Sequence, residues 1–252
     1  MSLRTQLKKV LPPISVTEQE ALDAGDTWIE TSIYQGKPDL HAVRALPQAK
    51  LTEEEQAFFD GPLQTLLGML DDHALLEGKH IPQAIMDFLC ENKFFAMIIP
   101  KKFGGLEFSP YANSTVVATI ATKSGSIAVT VMVPNSLGPG ELLMHYGTEA
   151  QQNYWLPRLS AGQDIPCFAL TSPEAGSDAG AIPDAGIVTK GMYNGEEVLG
   201  LSVTWDKRYI TLAPIATVLG LAFKVFDPDQ LLGDKLELGI TCALLPKDHP
   251  GV

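Results

Sequence analysis

The chain has 252 residues, 45% of them hydrophobic, with 30 acidic and 18 basic side chains and a net charge of −12. That length holds one large domain or two ordinary ones, and the hydrophobic content excludes a disordered chain. The acidic balance argues against nucleic acid, which needs a basic face, but not against a small phosphorylated cofactor that needs only a few local donors.

Residues 1–15 carry Arg4, Lys8 and Lys9 without a long apolar run, so they do not read as a signal peptide. Residues 1–50 show little periodicity. Pro12, Pro13, Pro38 and Pro47 interrupt them, and they read as an extended arm with at most one short helix around residues 17–32. Helical signals then begin. Thr52 and Glu55 have capping-box spacing, and Leu63, Leu66, Leu67 and Leu70 form one apolar helical face. Gly61-Pro62 is a candidate break between two helices. Pro82 suits a first turn ahead of the stripe Ile81, Ile85, Phe88 and Leu89. Ser109-Pro110 opens a helix with Val116, Val117, Ile120 and Ala121 inside and Gly125 near its end. Two more helices are expected at 140–146 and 148–159, the second with Thr148 and Gln151 at capping-box spacing.

The pattern changes near Gly162. Short runs rich in Val, Ile and Thr follow at 165–171, 198–204, 209–224 and 238–245, separated by Gly, Pro and Asn clusters. Asn194-Gly195 is a tight-hairpin signal. Helices first and strands afterwards predict an α+β chain: an arm over 1–50, a helical domain over 51–162 and a β-rich domain over 163–252. The strand pattern stops at Val252 without a closing element, so the β-domain is expected to be cut short. The most apolar stretch, 215–223, is far below the ~20 residues of a membrane helix. Cys90, Cys167 and Cys242 lie far apart, with no metal-ligand pair, and read as reduced, buried residues in a cytoplasmic protein. No metal site is expected.

The segment with most chemical content runs from Phe168 through Thr171, Ser172, Pro173, Glu174, Ala175, Gly176 and Ser177 to Asp178. Glycine admits a close ligand, and successive N–H groups beside a hydroxyl cradle an anion. On these grounds alone a plain strand-to-turn reading is the simpler one. The segment is not a Gly-Lys-Ser/Thr phosphate loop, and no GxGxxG follows a strand.

Leu170-Thr171-Ser172-Pro173-Glu174-Ala175-Gly176-Ser177-Asp178 resembles the flavin- and substrate-contacting signature of the acyl-CoA dehydrogenases. Three further blocks, in family order, add to the resemblance. Lys207-Arg208-Tyr209-Ile210-Thr211 is similar to a family strand packed on the flavin. Pro134-Asn135-Ser136-Leu137-Gly138 is similar to the end of a substrate-side helix, and Pro100 with Phe103-Gly104-Gly105-Leu106 to the Pro-x-x-x-Gly-Gly turn. The blocks span 94–252 and most resemble the long bacterial fatty-acid acyl-CoA dehydrogenases. The usual pattern has Glu at Ser172, Gly at Glu174 and Trp at Tyr209.

The resemblance implies a helical domain, then an antiparallel barrel- or sandwich-like β-domain, with a further C-terminal helical bundle missing. It implies FAD bound by Phe168, Leu170, Thr171, Gly176, Ser177, Tyr209, Ile210 and Thr211, with Ser177 also reaching substrate. Phe168, Leu170, Tyr209, Ile210 and Thr211 would form one flavin wall, and Thr171 would hydrogen-bond the ring edge. The implied reaction is α,β-dehydrogenation of fatty acyl-CoA in β-oxidation, with electrons passed to an electron-transfer flavoprotein or similar acceptor, by a homo-oligomer when full length. In the family the base is a Glu of the C-terminal domain, so no catalytic residue is assigned here. Glu141, Glu149, Glu196 and Glu197 read as surface charges, and His145 and His249 as helix-face and loop residues. Two other readings stand beside this one: an acyl-CoA oxidase or flavin monooxygenase of the same fold, and a non-catalytic module that binds acyl-CoA or protein. Membrane association through a missing N-terminal segment is the alternative to a purely cytoplasmic setting.

Overall fold

The computed structural model describes residues 29–252 apart from 137 and 194. It divides into two compact units between residues 49 and 50. In the first unit, the expectation of a helix at 17–32 lies mostly outside the described residues. Residues 29–49 hold two short helices, α1 (Glu30–Tyr34) and α2 (Leu40–Ala45), in place of an extended arm. The Asp39 carboxylate nucleates α2 by accepting from the N–H groups of His41 and Ala42, both at 3.0 Å.

The second unit begins with α3 (Glu53–Phe58). Its capping box is formed: Glu55 N–H donates to Thr52 Oγ1 at 3.2 Å, and Thr52 N–H to Glu55 Oε2 at 2.8 Å. Gly61-Pro62 does not break the helix as expected. A π-turn over Phe59–Leu63 takes in the proline, and the helical path continues as α4 (Gln64–Met69). The wider turn tolerates the missing proline N–H. Then come α5 (Asp72–Gly78), α6 (Gln83–Glu91), α7 (Pro110–Ala121), α8 (Gly125–Met132), α9 (Pro139–Tyr146) and α10 (Glu149–Ser160). Gly125 opens α8, with Ser124 as its cap, and does not close α7; Ala121 is exposed. The helical core gathers Phe58, Leu63, Leu66, Leu89, Phe94 and Ile120, and the Phe58 ring packs tilted against Phe94, 4.8 Å between ring centres. At the Pro-x-x-x-Gly-Gly turn, Gly104 has φ +85°, and a Cβ on Gly105 would lie 2.0 Å from the Ile99 carbonyl oxygen. Glycine is required at both. Among the described residues no helix is long and apolar enough to cross a membrane.

The strands are β1 (Pro166–Ala169), β2 (Ala185–Tyr193), β3 (Glu196–Thr204), β4 (Val218–Phe226) and β5 (Glu237–Pro246). Helices followed by a sheet agree with the sequence reading. The sheet is not the closed or all-antiparallel one expected: it is open and mixed. β1 and β2 lie end to end, parallel to β4 along one edge, at Pro166↔Val218 and Ala185↔Lys224. β5 pairs antiparallel on the other edge of β4, and β3 antiparallel on β2. The reason lies in the connections. Tyr193 faces Glu196 across a tight hairpin with Gly195 at φ +86°, whereas the long connection over 205–217 carries the chain past β2, so that β4 does not pair with β3 but lies parallel to β2.

β4 is buried along most of its length. One face of the sheet packs Val218 and Leu244 against Ile99, Leu143, Leu156 and Leu159 of the helical layer. The other face packs Cys167, Ala169, Leu219, Leu221 and Leu245 beneath Trp205 and Ile210. Asp164 fastens the two layers at their junction. It accepts from Arg158 Nε at 2.6 Å and from Thr217 Oγ1 at 2.9 Å.

Candidate functional site

β1 carries the chain out of the buried sheet into the loop that holds the recognised motif. Ser172 and Ala175 close a tight turn over Pro173 and Glu174 by reciprocal backbone hydrogen bonds of 3.0 and 3.2 Å. Beyond it, Gly176, Ser177 and Asp178 are exposed, and their N–H groups have no partner among the described residues. Asp178 Oδ1 accepts from Gly180 N–H at 3.1 Å and turns the chain toward β2. A run of free N–H groups beside the Ser177 hydroxyl can receive an anion.

Behind this loop lies a buried polar network. Lys207 Nζ donates to Asp184 Oδ2 at 2.5 Å, to the Leu170 carbonyl at 2.8 Å and to Ser172 Oγ at 3.2 Å. Ser172 Oγ also donates to Asp184 Oδ2 at 2.5 Å, and Asp206 N–H to Asp184 Oδ1 at 2.9 Å. Both charged side chains are 1% exposed. Burial alone would raise the Asp184 pKa. The hydrogen bonds from Lys207, Ser172 and the Asp206 N–H outweigh it and hold the carboxyl below its ordinary value. Two contacts extend the join: Arg208 N–H donates to the Thr171 carbonyl at 3.2 Å, and Arg208 Nη2 to the Pro173 carbonyl at 3.0 Å.

The two blocks singled out in the sequence are therefore joined, but not as one flat wall. Residues 209–211 lie in the β3–β4 connection and not in a strand. Tyr209 has φ +56° and is 85% exposed, with the Arg208 guanidinium 5.3 Å from its ring centre. A left-handed residue cannot continue a strand, so the β-branched pattern of Ile210-Thr211 is overridden. Phe168 and Leu170 pack with Ala175, Ile182 and Ala222, whereas Ile210 packs with Cys167, Ala169 and Leu219 on the other face. Phe168 and Leu170 thus flank one side of the strand and Ile210 the other, with the Thr171 backbone between them. Among the described residues the Thr171 N–H and Oγ1 have no hydrogen-bond partner.

On the helix-facing side an open cleft of about 390 Å³ is lined by Pro139, Leu143, Tyr146, Trp155, Phe168 and Gly220 among others, with no carboxylate. Gly220 permits this approach, since a Cβ there would lie 2.8 Å from Pro139 Cγ. Asn135 serves the fold: it donates to the carbonyls of Phe94 and Val131 at 2.6 and 2.9 Å and accepts from Ile98 N–H at 3.2 Å. Nothing is described for Leu137. Of the cysteines only Cys167 is fully buried; Cys90 is partly buried and Cys242 exposed, which corrects the expectation that all three are core residues. His145 bonds Glu141 at 3.0 Å along α9, and His249 sits in the last turn. Asp184 was not foreseen, because Pro183-Asp184 reads as a turn. Its one signal is that Lys207 stands between Trp205 and Ile210, which draw it inward.

Residues 51–163 match the family model of the acyl-CoA dehydrogenase N-terminal domain. Over 141 residues, 56% of this chain, the sequence is 33% identical to a (2S)-methylsuccinyl-CoA dehydrogenase of Cereibacter sphaeroides, covering 24% of that protein. Two solved structures share the fold. The butyryl-CoA dehydrogenase of Megasphaera elsdenii superposes with a TM-score of 0.65 at 21% identity, covering 81% of this chain and 51% of that one. A glutaryl-CoA dehydrogenase of Mycobacterium smegmatis, in complex with FADH2, does so with a TM-score of 0.58 at 19% identity, covering 89% and 50%. The chain thus spans about half the length of these solved relatives and less of the curated one.

Proposed function

We propose that the chain belongs to the acyl-CoA dehydrogenase family, whose N-terminal domain model matches residues 51–163, and that it contributes one side of the FAD and substrate site of such an enzyme. Bound FAD supplies the two-electron acceptor with which a fatty acyl-CoA thioester is converted to a trans-2-enoyl-CoA. The observation that carries this reading is the joining of the 168–178 loop to 207–211 around a Thr171 whose N–H and Oγ1 have no partner among the described residues. Thr171 donates to the edge of the flavin ring. Phe168 and Leu170 approach the ring from one side, and Tyr209, Ile210 and Thr211 from the other. The free N–H groups of Gly176, Ser177 and Asp178, with the Ser177 hydroxyl, receive a phosphate of the cofactor or the substrate.

In this reading residues 51–162 form the helical domain and 163–252 the β-domain. The carboxylate that takes the α-proton comes from outside these residues. The whole protein works in fatty-acid β-oxidation, as a homo-oligomer, and hands its electrons to an electron-transfer flavoprotein or similar acceptor. The test is titration of the full-length natural protein with FAD. Binding near one FAD per chain, weakened at least about tenfold by Thr171→Val, supports the assignment. No FAD binding, or an unchanged affinity in the variant, overturns it.

A further inference from the structure

Lys207 has three N–H donors, and the Leu170 carbonyl, Ser172 Oγ and Asp184 Oδ2 take all three. Asp184 in turn uses one oxygen for Lys207 and Ser172 and the other for the Asp206 N–H. Two charges are thereby buried to 1% exposure in a place where apolar packing would be at least as stable. The arrangement immobilises the residues on both sides of Thr171: the carbonyl of Leu170 is held, and so are the hydroxyl and N–H of Ser172. Arg208 holds the Thr171 and Pro173 carbonyls as well. Of Thr171 itself, the N–H and Oγ1 are left without a partner among the described residues. A rigid surround with free donors at its centre is how a ligand edge is preorganised.

We propose that Lys207, Asp184 and Ser172 are a positioning triad that fixes Thr171 against residues 207–211 and so sets the geometry of the flavin edge. The inference rests on the function proposed above. The triad touches neither ligand nor reacting atoms and acts only through Thr171.

The experiment uses the full-length natural protein with Lys207→Met, Ser172→Ala and Lys207→Met/Asp184→Asn, each with and without Thr171→Val. Hydrogen exchange is followed without cofactor, and FAD affinity and the flavin absorbance band by titration. Lys207→Met and Ser172→Ala should speed exchange at 170–176 more than about tenfold while α7 is unchanged. FAD affinity should fall about tenfold in each, and Thr171→Val, costly on its own, should then cost little more. The double charge-removal variant should regain stability without regaining affinity or the native absorbance band, which a purely structural pair would not do. Unchanged exchange at 170–176, or a Thr171→Val effect of equal size in every background, overturns the triad. If the unaltered protein takes up no FAD, the functional reading fails, and the exchange comparison still decides whether the triad fixes the loop. Should Lys207→Met not fold, Ser172→Ala, which removes one hydroxyl, carries the same comparison.

Discussion

Replacing Lys207 by Met removes the ammonium that joins β2, the 170–173 loop and the β3–β4 connection. Asp184 is then left with the Ser172 hydroxyl and the Asp206 N–H as its hydrogen-bond donors. Because both side chains are 1% exposed, water does not compensate the carboxylate as it would at a surface. Removing one partner of a buried ion pair costs about 3–5 kcal/mol. In a folded unit of roughly 150–250 residues each kcal/mol moves Tm by about 2–4 °C. Lys207→Met is therefore expected to lower Tm by about 6–20 °C. Adding Asp184→Asn removes the stranded charge, so the double variant should be less damaged than the sum of the single ones, and less than Lys207→Met itself. The assay is thermal and urea unfolding of the four proteins of this cycle. A loss under about 1 kcal/mol in Lys207→Met, the worth of an exposed pair, refutes the reasoning, as does strict additivity.

Gly105→Ala should cost about 3 kcal/mol or more in urea unfolding, because its Cβ meets backbone that cannot turn aside, the Ile99 carbonyl oxygen at 2.0 Å. Thr52→Ala should cost about 1 kcal/mol by opening the α3 capping box, and an unchanged midpoint would contradict the cap. At Glu55 burial opposes ionisation, but hydrogen bonds from Thr52 and Ser109 outweigh it, so its pKa, like that of Asp184, lies below the ordinary carboxylate value. With both lowered, their stabilisation is complete above the unfolded values of 4.5 and 3.8 and is lost as pH falls below them. Asp184→Asn should flatten that acid limb of the unfolding midpoint, and an identical pH profile would count against it. Residues 1–252 by themselves should bind FAD weakly and show no dehydrogenase turnover, since a one-sided pocket leaves most of the ligand in water. A stoichiometric yellow protein after gel filtration would contradict this.

Where local chemistry decides the structure, the sequence was legible. Thr52 with Glu55 and Thr148 with Gln151 both form the capping boxes that their spacing predicts. Gly195 closes the expected hairpin, and the change from helix to strand near residue 162 is real. Tertiary context decided the rest. The Gly125–Met132 helix escaped notice because Ile127, Val129 and Val131 are β-branched, and its cap, Ser124, follows α7 almost at once. The run at 209–217 has strand composition, yet it is the connection that carries the chain from β3 past β2 to β4, which no local pattern announces. The Thr171 and Tyr209 blocks could be read as partners only through their family resemblance. The charge pair that joins them spans 23 residues of sequence and depends on an aspartate directly ahead of β2 that no motif marks.

The most direct test of the central claim is anaerobic mixing of the full-length natural protein, loaded with FAD, with butyryl- to palmitoyl-CoA, with the absorbance of the flavin and the mass of the thioester followed together. The account predicts that with at least one of these thioesters the flavin absorbance bleaches and the thioester loses two mass units to give the trans-2-enoyl product. Flavin that stays oxidised with every acyl-CoA, with no enoyl product, would contradict it.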